Sequence, residues 1–187
     1  DRYMIIDIFS RKIVGWDIHE NENTVYASEM LKSATNGERM PELYLHSDNG
    51  GPMKGATMMA TMQSLGVIPS YSRPRCSNDN AFSESLFKTL KYRVSYPKAF
   101  DTIDEAKQWV AGFVEWYNTE HRHSGIGFVT PEQKYTGEDN AILERRNKTF
   151  EEARKMHPER WINNKIRKWD PVDQTTLNKR KSKNRAA

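Results

Sequence analysis

Short apolar runs separated by polar segments organise the first part of the chain. Residues 3–8 and 13–18 are apolar runs on either side of a polar turn, which predicts a β-hairpin. Asn23-Thr24 is suited to cap a helix that extends to about residue 34. A further apolar run at 43–46 predicts a strand. The order of strand, strand, helix and strand implies a mixed sheet.

The pattern then alternates between helices and short connections. A methionine-rich helix is predicted from about residue 53 to 64, followed by a strand at 66–69 and a loop at 70–78. The methionines favour a packing face over a cofactor site, because thioethers fill irregular cores well. Ser77 or Asn78 is suited to cap a helix over about 79–92. Its apolar side consists of Phe82, Leu86, Phe87 and Leu90.

Helical patterns continue in the second half of the chain. Aromatic residues recur at helical spacing over 103–119, which predicts a helix with its aromatic side chains in the core. Thr130-Pro131 has the signature of a helix start, and 138–156 predicts a further helix. His121 and His123 lie between these helices, but they have no cysteine or third histidine at a usual ligand spacing. A zinc site is therefore not predicted.

Length and composition favour one folded domain with an extension. The 187 residues are 36% hydrophobic and 11% aromatic, and the apolar runs are far shorter than a membrane span of about 18 residues. The single Cys76 cannot form an internal disulfide, and the chain does not begin with a secretory leader pattern. These features favour a reducing, cytoplasmic setting.

Positive charge is concentrated near the C-terminus. Residues 145–187 contain 14 Lys and Arg against 5 Asp and Glu, whereas residues 1–144 carry a net charge of −5. Such a basic segment favours contact with a nucleic-acid backbone, because it releases counterions from the phosphates. A solvated basic terminus is the alternative interpretation.

Two carboxylates occur in contexts that suit metal chemistry. Asp48 directly follows the predicted strand in His46-Ser47-Asp48-Asn49-Gly50, and Glu84 lies in a predicted helix with 35 residues between the two acids. A strand end and a helix face can converge on one cation. Mg²⁺ is usually held by one or two carboxylates together with water and phosphate oxygens. The pair therefore predicts most of a metal site, with a third acid lacking.

Lysines follow Glu84 on the same side of its helix. Lys88 and Lys91 lie four and seven residues beyond Glu84, which places all three on one face. One interpretation is a solvated face with an ordinary ion pair. The other is a metal ligand followed by two cations that receive DNA phosphates.

Several motifs in this order resemble the integrase catalytic core of bacterial insertion-sequence (orfB-type) transposases, a branch of the retroviral-integrase superfamily. The resemblance covers residues 1–137, and 157–161 resembles the C-terminal extension of some such transposases. The matching segments are 5–16, His46 to Gly50, Asn78 to Ser85 with Lys88 and Lys91, Tyr117-Asn118 with Arg122 and His123, and Thr130-Pro131.

The resemblance implies a fold and a chemistry. The fold is α/β, a ribonuclease-H-like mixed sheet flanked by helices over 1–137, followed by a basic extension at 138–187 with a disordered tail. The chemistry uses two aspartates and a glutamate to hold two Mg²⁺ or Mn²⁺ ions, with Asp48 and Glu84 as two of the three ligands. Such ions serve first hydrolysis and then strand transfer, with water and a DNA 3′-hydroxyl as successive nucleophiles.

The resemblance also implies partners and contacts. The partners are transposon ends and target DNA, bound by a homo-oligomer in the bacterial cytoplasm at the nucleoid. The residues expected to contact DNA are Asn49, Arg73, Arg75, Asn80, Lys88 and Lys91.

The first acid of the triad has no counterpart in this sequence. In the family it lies on a first strand, upstream of the segment that residues 3–10 resemble. Asp7 is not a substitute, because it matches an aspartate of the hairpin and aspartate is common at turns. Asp1 is a weaker candidate still. We therefore expect a core that is truncated at its N-terminus and is weak or inactive alone.

Two other functions fit parts of the sequence. A non-catalytic DNA-binding remnant would keep the basic segment and the lysine face. A nuclease of the ribonuclease-H class would share the fold, but the motifs match the integrase branch instead.

Overall fold

The N-terminal apolar runs form the expected antiparallel hairpin. The computed structural model describes residues 2–97, 99–161 and 165–177. Strand β1 (Arg2–Ile6) pairs with β2 (Ile13–Ile18), and the register shifts by one residue after Ile5. Helix α1 (Thr24–Ala34) follows, and Asn23 caps it by accepting a hydrogen bond from the backbone N–H of Val25 at 2.8 Å.

A parallel strand pair with a helical connection forms the next part of the fold. Strand β3 (Tyr44–Ser47) pairs with β4 (Ile68–Tyr71), and parallel pairing requires a crossover connection. The crossover consists of α2 (Gly51–Lys54) and α3 (Ala56–Leu65), which are separated at Gly55. The prediction of one helix over 53–64 and of a strand at 66–69 is corrected accordingly. The strand begins two residues later because Gly66, at φ 71°, ends α3 in a left-handed conformation.

The two strand pairs pack on one apolar cluster. Its members are Ala27 and Leu31 from α1, Met58, Met62 and Leu65 from α3, and Val67. Tyr3 and Ile5 of β1 and Leu45 of β3 pack against it, so the methionine run is a packing face, as predicted. No strand within the described ranges joins the pairs, so β1 and β3 each keep one unpaired edge. The antiparallel and parallel pairings of a mixed sheet are thus present as two two-stranded sheets.

The helix that carries Glu84 begins later than predicted. A 3-10 turn occupies Ser77–Asn80, and α4 spans Ala81–Lys91, so neither Ser77 nor Asn78 is its cap. The difference arises because Asp79 is engaged in a tight loop described below. Leu86 and Leu90 are buried on the apolar side of α4, as expected, whereas Phe82 and Phe87 are half-buried.

Helix α5 (Ile103–Thr119) has the predicted bounds. Phe113 and Tyr117 are buried, but Trp109 and Trp116 are only half-buried, so the prediction of an aromatic core holds for part of the set. Trp109 remains near the surface because its indole N–H donates to the backbone carbonyl of Ser95 at 2.9 Å.

The described residues divide into two compact units, and the division falls within α5. The first contains both strand pairs, α1 to α4 and α5 up to residue 111. The second contains the hairpin turn at 7–12 and residues 112–175.

The second unit is built around a capped helix and a buried ion pair. Thr130 and Gln133 form a capping box at the start of α6 (Pro131–Tyr135), which confirms the predicted helix start. Helix α7 (Asp139–Met156) follows after Gly137. The Lys134 ammonium lies 2.7 Å from a carboxylate oxygen of Asp139, and the two side chains are 5% and 2% exposed. Lys134 also donates to the carbonyl of Val172 at 3.0 Å, which attaches the C-terminal segment to this unit.

The C-terminal segment 165–175 runs along α7 without regular secondary structure. The side chain of Asn147 accepts from the backbone N–H of Trp169 at 2.8 Å and donates to its carbonyl at 2.9 Å. The guanidinium carbons of Arg146 and Arg167 lie 4.8 and 4.1 Å from the Trp169 ring centroid. Over the described ranges, the helices are too short or too polar to cross a bilayer.

A close approach at Gly55 yields a stability prediction. A Cβ atom at Gly55 would lie 2.5 Å from Oγ1 and 2.7 Å from Cβ of Thr24. We expect Gly55→Ala to lower the free energy of unfolding by about 1–3 kcal/mol, because the crossover must move away from α1. Urea unfolding measures the change. Gly51→Ala is the matched control, since a Cβ there meets no atom within 4 Å, and equal stability of the two variants would contradict the prediction.

Candidate metal and DNA site

Asp48 lies one residue beyond the end of β3 and is exposed. One carboxylate oxygen, Oδ1, accepts a hydrogen bond from the backbone N–H of Gly50 at 3.0 Å. A Cβ at Gly50 would lie 2.9 Å from that oxygen, so glycine permits the tight turn. Oδ2 has no hydrogen-bond or ionic partner within the described ranges. Asp48 therefore keeps one oxygen available for a cation.

Glu84 lies in the first turn of α4 and is also exposed. A carboxylate is favoured at this place, because the helix N-terminus carries partial positive charge. Within the part of the chain that the structure describes, Glu84 makes no ion pair, including none with Lys88. The ordinary ion pair considered from the sequence is thus not formed, and both oxygens of Glu84 are available.

Ser72 connects the segment of Asp48 with the segment of Glu84. It follows β4 directly, and its backbone N–H donates to the carbonyl of Ser47 at 2.9 Å. Its own carbonyl accepts from the side chain of Asn49 at 2.8 Å. The Ser72 hydroxyl donates to Oδ1 of Asn80 at 3.2 Å, just before α4 begins. The two acids are therefore held by neighbouring, hydrogen-bonded segments of one unit.

An ion pair closes the loop between β4 and α4. Arg73 donates from Nε to Oδ2 of Asp79 at 3.0 Å and from Nη2 to Oδ1 at 2.9 Å. The backbone N–H of Arg73 adds a third bond to Oδ2 at 2.8 Å. These hydrogen bonds hold the pKa of the 4% exposed Asp79 well below its usual range, with the side-chain bonds of Arg73 the largest cause. Asp79 is accordingly a charged anchor of the loop.

Three of the residues predicted to contact DNA already form hydrogen bonds or an ion pair within the protein. Arg73 is paired with Asp79, although its side chain remains 67% exposed. The side chain of Asn49 bonds to Ser72, and it also accepts from the ammonium of Lys54 at 2.6 Å. Asn80 is half-buried and accepts the bond from Ser72.

Three of the predicted contacts are uncommitted cations. Arg75 is exposed at the loop apex with φ 60°, a left-handed conformation that turns the chain sharply. Lys88 and Lys91 are exposed on α4. None of the three forms an ion pair with another described residue. All three remain available to phosphates.

The residues present fit a divalent cation in part. Asp48 and Glu84 supply hard carboxylate oxygens of the kind that Mg²⁺ and Mn²⁺ prefer. Over the described ranges, however, no three His, Cys, Asp or Glu side chains cluster in a way that could hold a metal. The carboxylate of Asp7 is engaged elsewhere, since it accepts from the backbone N–H groups of Phe9 and Ser10 in the hairpin turn.

Sequence reasoning missed three residues of this region: His46, Ser72 and Asp79. For His46 and Ser72, the available signal is the alternation of side chains along β3 and β4. His46 pairs with Ser70 in the register, and polar side chains recur on one face. For Asp79, the signal is an arginine six residues upstream across a proline-containing loop.

The histidines at 121 and 123 lie in the second unit. Their ring centroids are 4.4 Å apart with the rings nearly perpendicular. Nε2 of His123 is buried and has no hydrogen-bond partner within the described chain. Burial lowers the pKa of His123 to about 4, and the nearby charges of His121 and Arg11 act in the same direction. His123 is therefore neutral at pH 7 and packs against Tyr117, with ring centroids 4.8 Å apart.

Comparison with known proteins agrees with this arrangement. Residues 65–131 match the integrase core domain family, a range that includes Glu84 and its helix. The transposase for insertion sequence element IS904 of Lactococcus lactis subsp. lactis (strain IL1403) is 34% identical over 134 residues, which cover 70% of this chain and 53% of that protein.

A second relative and a solved structure extend the comparison. Transposase InsF for insertion sequence IS3A of Escherichia coli (strain K12) is 30% identical over 132 residues, covering 70% of this chain and 46% of that protein. The chain thus spans about half the length of both transposases. The crystal structure of the catalytic core domain of BIV integrase has a TM-score of 0.56 at 19% identity and covers 75% of this chain and 88% of that one.

These findings define the fold class of the chain and the kind of protein to which it is similar. The fold is the ribonuclease-H-like fold of retroviral integrase catalytic cores, as predicted from the motifs. Within that class, residues 65–131 match the integrase core domain family, and the chain is similar over 70% of its length to insertion-sequence transposases.

The unpartnered histidine leads to a prediction of pH-dependent stability. The pKa of His123 is about 4 in the folded chain and about 6.5 when unfolded, so the unfolded state binds more protons between these values. This contribution to stability is complete above pH 6.5 and is lost as the pH falls towards 4. We expect it to amount to at most about 1–2 kcal/mol, because solvent screens the partly exposed ring.

The variant His123→Gln removes that titration. Its free energy of unfolding, measured with urea at pH 7, 5.5 and 4.5, should decline less towards low pH than that of the wild type. His157→Gln is the control for an exposed histidine. Parallel pH curves for His123→Gln and the wild type would contradict the assignment.

Proposed function

We propose that this chain is the catalytic-core part of an insertion-sequence transposase that cuts and joins DNA at transposon ends. The observation that carries the proposal is the pair Asp48 and Glu84, exposed carboxylates with uncommitted oxygens on two segments that hydrogen bonds hold together. The relatives named as transposases support the choice of DNA transposition over other phosphodiester chemistry.

Asp48 and Glu84 would hold Mg²⁺ or Mn²⁺ from two sides, one at a strand end and the other on a helix. When bound, such ions activate the attacking oxygen and stabilise the leaving oxygen of a phosphodiester. Gly50 keeps the turn after Asp48 tight, and its N–H orients the carboxylate. Arg75, Lys88 and Lys91 would neutralise backbone phosphates and position the strand beside the acids.

We propose that the third acid comes from a strand that the described residues do not include. Among the described residues, each of the four strands has one unpaired edge, and β1 and β3 both pack on the same apolar cluster. A strand placed between them would provide hydrogen-bond partners for the unpaired backbone N–H and C=O groups of both strands. An aspartate on that strand would be well placed beside Asp48. The greater length of the two transposases is consistent with an additional segment of this kind.

The partners of the proposed enzyme are transposon-end and target DNA. Joining two ends to a target requires two active sites close together, so we propose that the chain acts as a homo-oligomer. The basic residues 145–187 would add sequence-independent affinity for the DNA backbone.

A DNA-binding remnant without catalysis is the second candidate. The observation that favours it is the lack of a three-ligand cluster within the described residues. Both candidates bind DNA, so the distinction depends on metal-dependent cleavage and joining.

A strand-transfer assay tests the catalytic proposal. With Mn²⁺ and labelled transposon-end DNA, we expect little joining by this chain and robust joining by a version extended upstream to include a strand with an aspartate. In the extended protein, Asp48→Asn or Glu84→Gln should reduce the rate by about 10²-fold or more, because each removes transition-state charge stabilisation. Glu29→Gln on α1 is the control for an exposed acid.

The outcomes separate the candidates. Robust joining by the present chain alone would contradict the need for a third acid. Failure of the extended protein in every metal, with DNA binding unchanged by Asp48→Asn and Glu84→Gln, would favour the remnant.

A salt titration of DNA binding tests the three uncommitted cations. We expect Arg75→Ala, Lys88→Ala and Lys91→Ala each to weaken binding of duplex DNA and to reduce the slope of log K against log [salt] by about 1. Fluorescence anisotropy between 50 and 300 mM NaCl measures both quantities. Lys32→Ala, an exposed lysine at the end of α1, serves as control, and an equal loss in this variant would show that only net charge matters.

A further inference from the structure

The backbone of Ser72 forms hydrogen bonds with both residues that flank Asp48 in the sequence. Its N–H donates to the carbonyl of Ser47 at 2.9 Å, and its carbonyl accepts from the Asn49 side chain at 2.8 Å. Ser47 and Asn49 are the two neighbours of Asp48 in sequence. The position of Ser72 is therefore fixed relative to the backbone that carries this acid.

The hydroxyl of Ser72 extends this connection to the helix of Glu84. Its oxygen lies 3.2 Å from the carbonyl of Ser47 and 3.2 Å from Oδ1 of Asn80. A hydroxyl has one proton, so these two acceptors at equal distance share it. Nε2 of His46 lies 3.3 Å from the same oxygen and can donate to it, since Nδ1 of His46 is 2.9 Å from the hydroxyl of Ser70.

Asn80 transmits this bond to the start of α4. It immediately precedes Ala81, the first residue of the helix, and Glu84 lies one turn further on. The side chain of Asn80 makes no capping bond to its own helix, so its amide oxygen is directed to Ser72 instead. In addition to the backbone bonds of Ser72, its hydroxyl oxygen therefore links the Ser47 carbonyl at the strand end to the Asn80 side chain at the helix start.

We propose that Ser72 is a positioning residue of the metal site. Its hydroxyl sets the separation between the segments of Asp48 and Glu84, and cation affinity depends on that separation. The inference rests on the proposed function, because it takes these two acids as the metal ligands. Two carboxylates on separate segments bind a cation well only when the segments are held before binding.

The loop itself cannot replace this contact. The ion pair of Arg73 with Asp79 closes the loop internally, between two residues that both lie beyond Ser72. It orders the path to α4 but does not extend to β3. The backbone bonds of Ser72 hold the start of this loop beside β3, and its hydroxyl links the end of β3 directly to Asn80 at the start of α4.

The test measures the affinity of the full chain for Mn²⁺ alone, by electron paramagnetic resonance of the free ion. We expect Ser72→Ala to weaken binding by roughly five- to tenfold, the effect of one lost hydrogen bond expressed as affinity. Ser72→Thr keeps the hydroxyl and should bind Mn²⁺ within about twofold of the wild type. If the side chain mattered only through its volume, the larger threonine would also change the affinity. Ser64→Ala is the control, since the Ser64 hydroxyl donates to the carbonyl of Thr61 within α3, and this variant too should stay within about twofold of the wild type.

A double-mutant cycle guards against a folding defect in Ser72→Ala. Asn80→Ala removes the same bond from the other side, so each single variant should weaken Mn²⁺ binding and the double variant should be no weaker than the weaker single one. Circular dichroism confirms folding of each variant. Fully additive losses would overturn the proposal, because they would mean that the two residues act independently.

The acid variants separate this proposal from the function on which it rests. If Asp48→Asn and Glu84→Gln weaken Mn²⁺ binding but Ser72→Ala does not, the positioning role is wrong and the metal site stands. If the acid variants bind Mn²⁺ as tightly as the wild type, the metal site is wrong and the positioning role is overturned with it.

Discussion

The parallel pairing of β3 with β4 is the constraint on which the candidate site depends. Parallel strands cannot be joined by a tight turn, so the chain must cross over through α2 and α3. The same geometry places the C-terminal ends of both strands at one edge. Asp48 follows one strand there and Ser72 follows the other, and residues far apart in sequence become neighbours. Polar groups at strand ends can then be functional without disturbing the apolar cluster beneath the sheet.

Two kinds of carboxylate occur close together in this region, and their environments assign them different tasks. Asp79 is buried, receives three hydrogen bonds from Arg73 and stays ionised because its pKa is lowered. Asp48 and Glu84 are exposed and keep free oxygens. An acid that is already saturated by a guanidinium cannot bind a cation well, whereas one that is only oriented can. The different roles of these acids follow from their local contacts, because all three are carboxylates.

Sequence patterns predicted the features that depend on local chemistry. The hairpin, the Asn23 cap and the Thr130-Pro131 helix start arise within a few residues, and all three are present. The fold class followed from the ordered motifs. The break at Gly55 and the late start of α4 were not predicted, because each depends on a distant partner: the Thr24 side chain in one case and the loop held by Arg73 and Asp79 in the other.

The candidate site was predictable to a similar extent. Spacing and context identified Asp48 and Glu84, since metal chemistry constrains residue type. Spacing did not reveal that Arg73 is paired with Asp79, nor that a serine connects the two segments. Serine is common in loops and has no distinctive spacing, so its role emerges only when the register of β3 and β4 brings it beside Asn49.

The buried pair of Lys134 and Asp139 has a consequence for how this chain can change over generations. Loss of either partner alone leaves an uncompensated charge in the interior, whereas joint replacement by apolar residues of similar volume costs little. The ammonium also donates to the carbonyl of Val172, so a joint replacement would remove one of the hydrogen bonds that hold the C-terminal segment. Substitutions at these positions are therefore expected to be inherited together, and lineages that lose the pair should also differ in the segment it anchors.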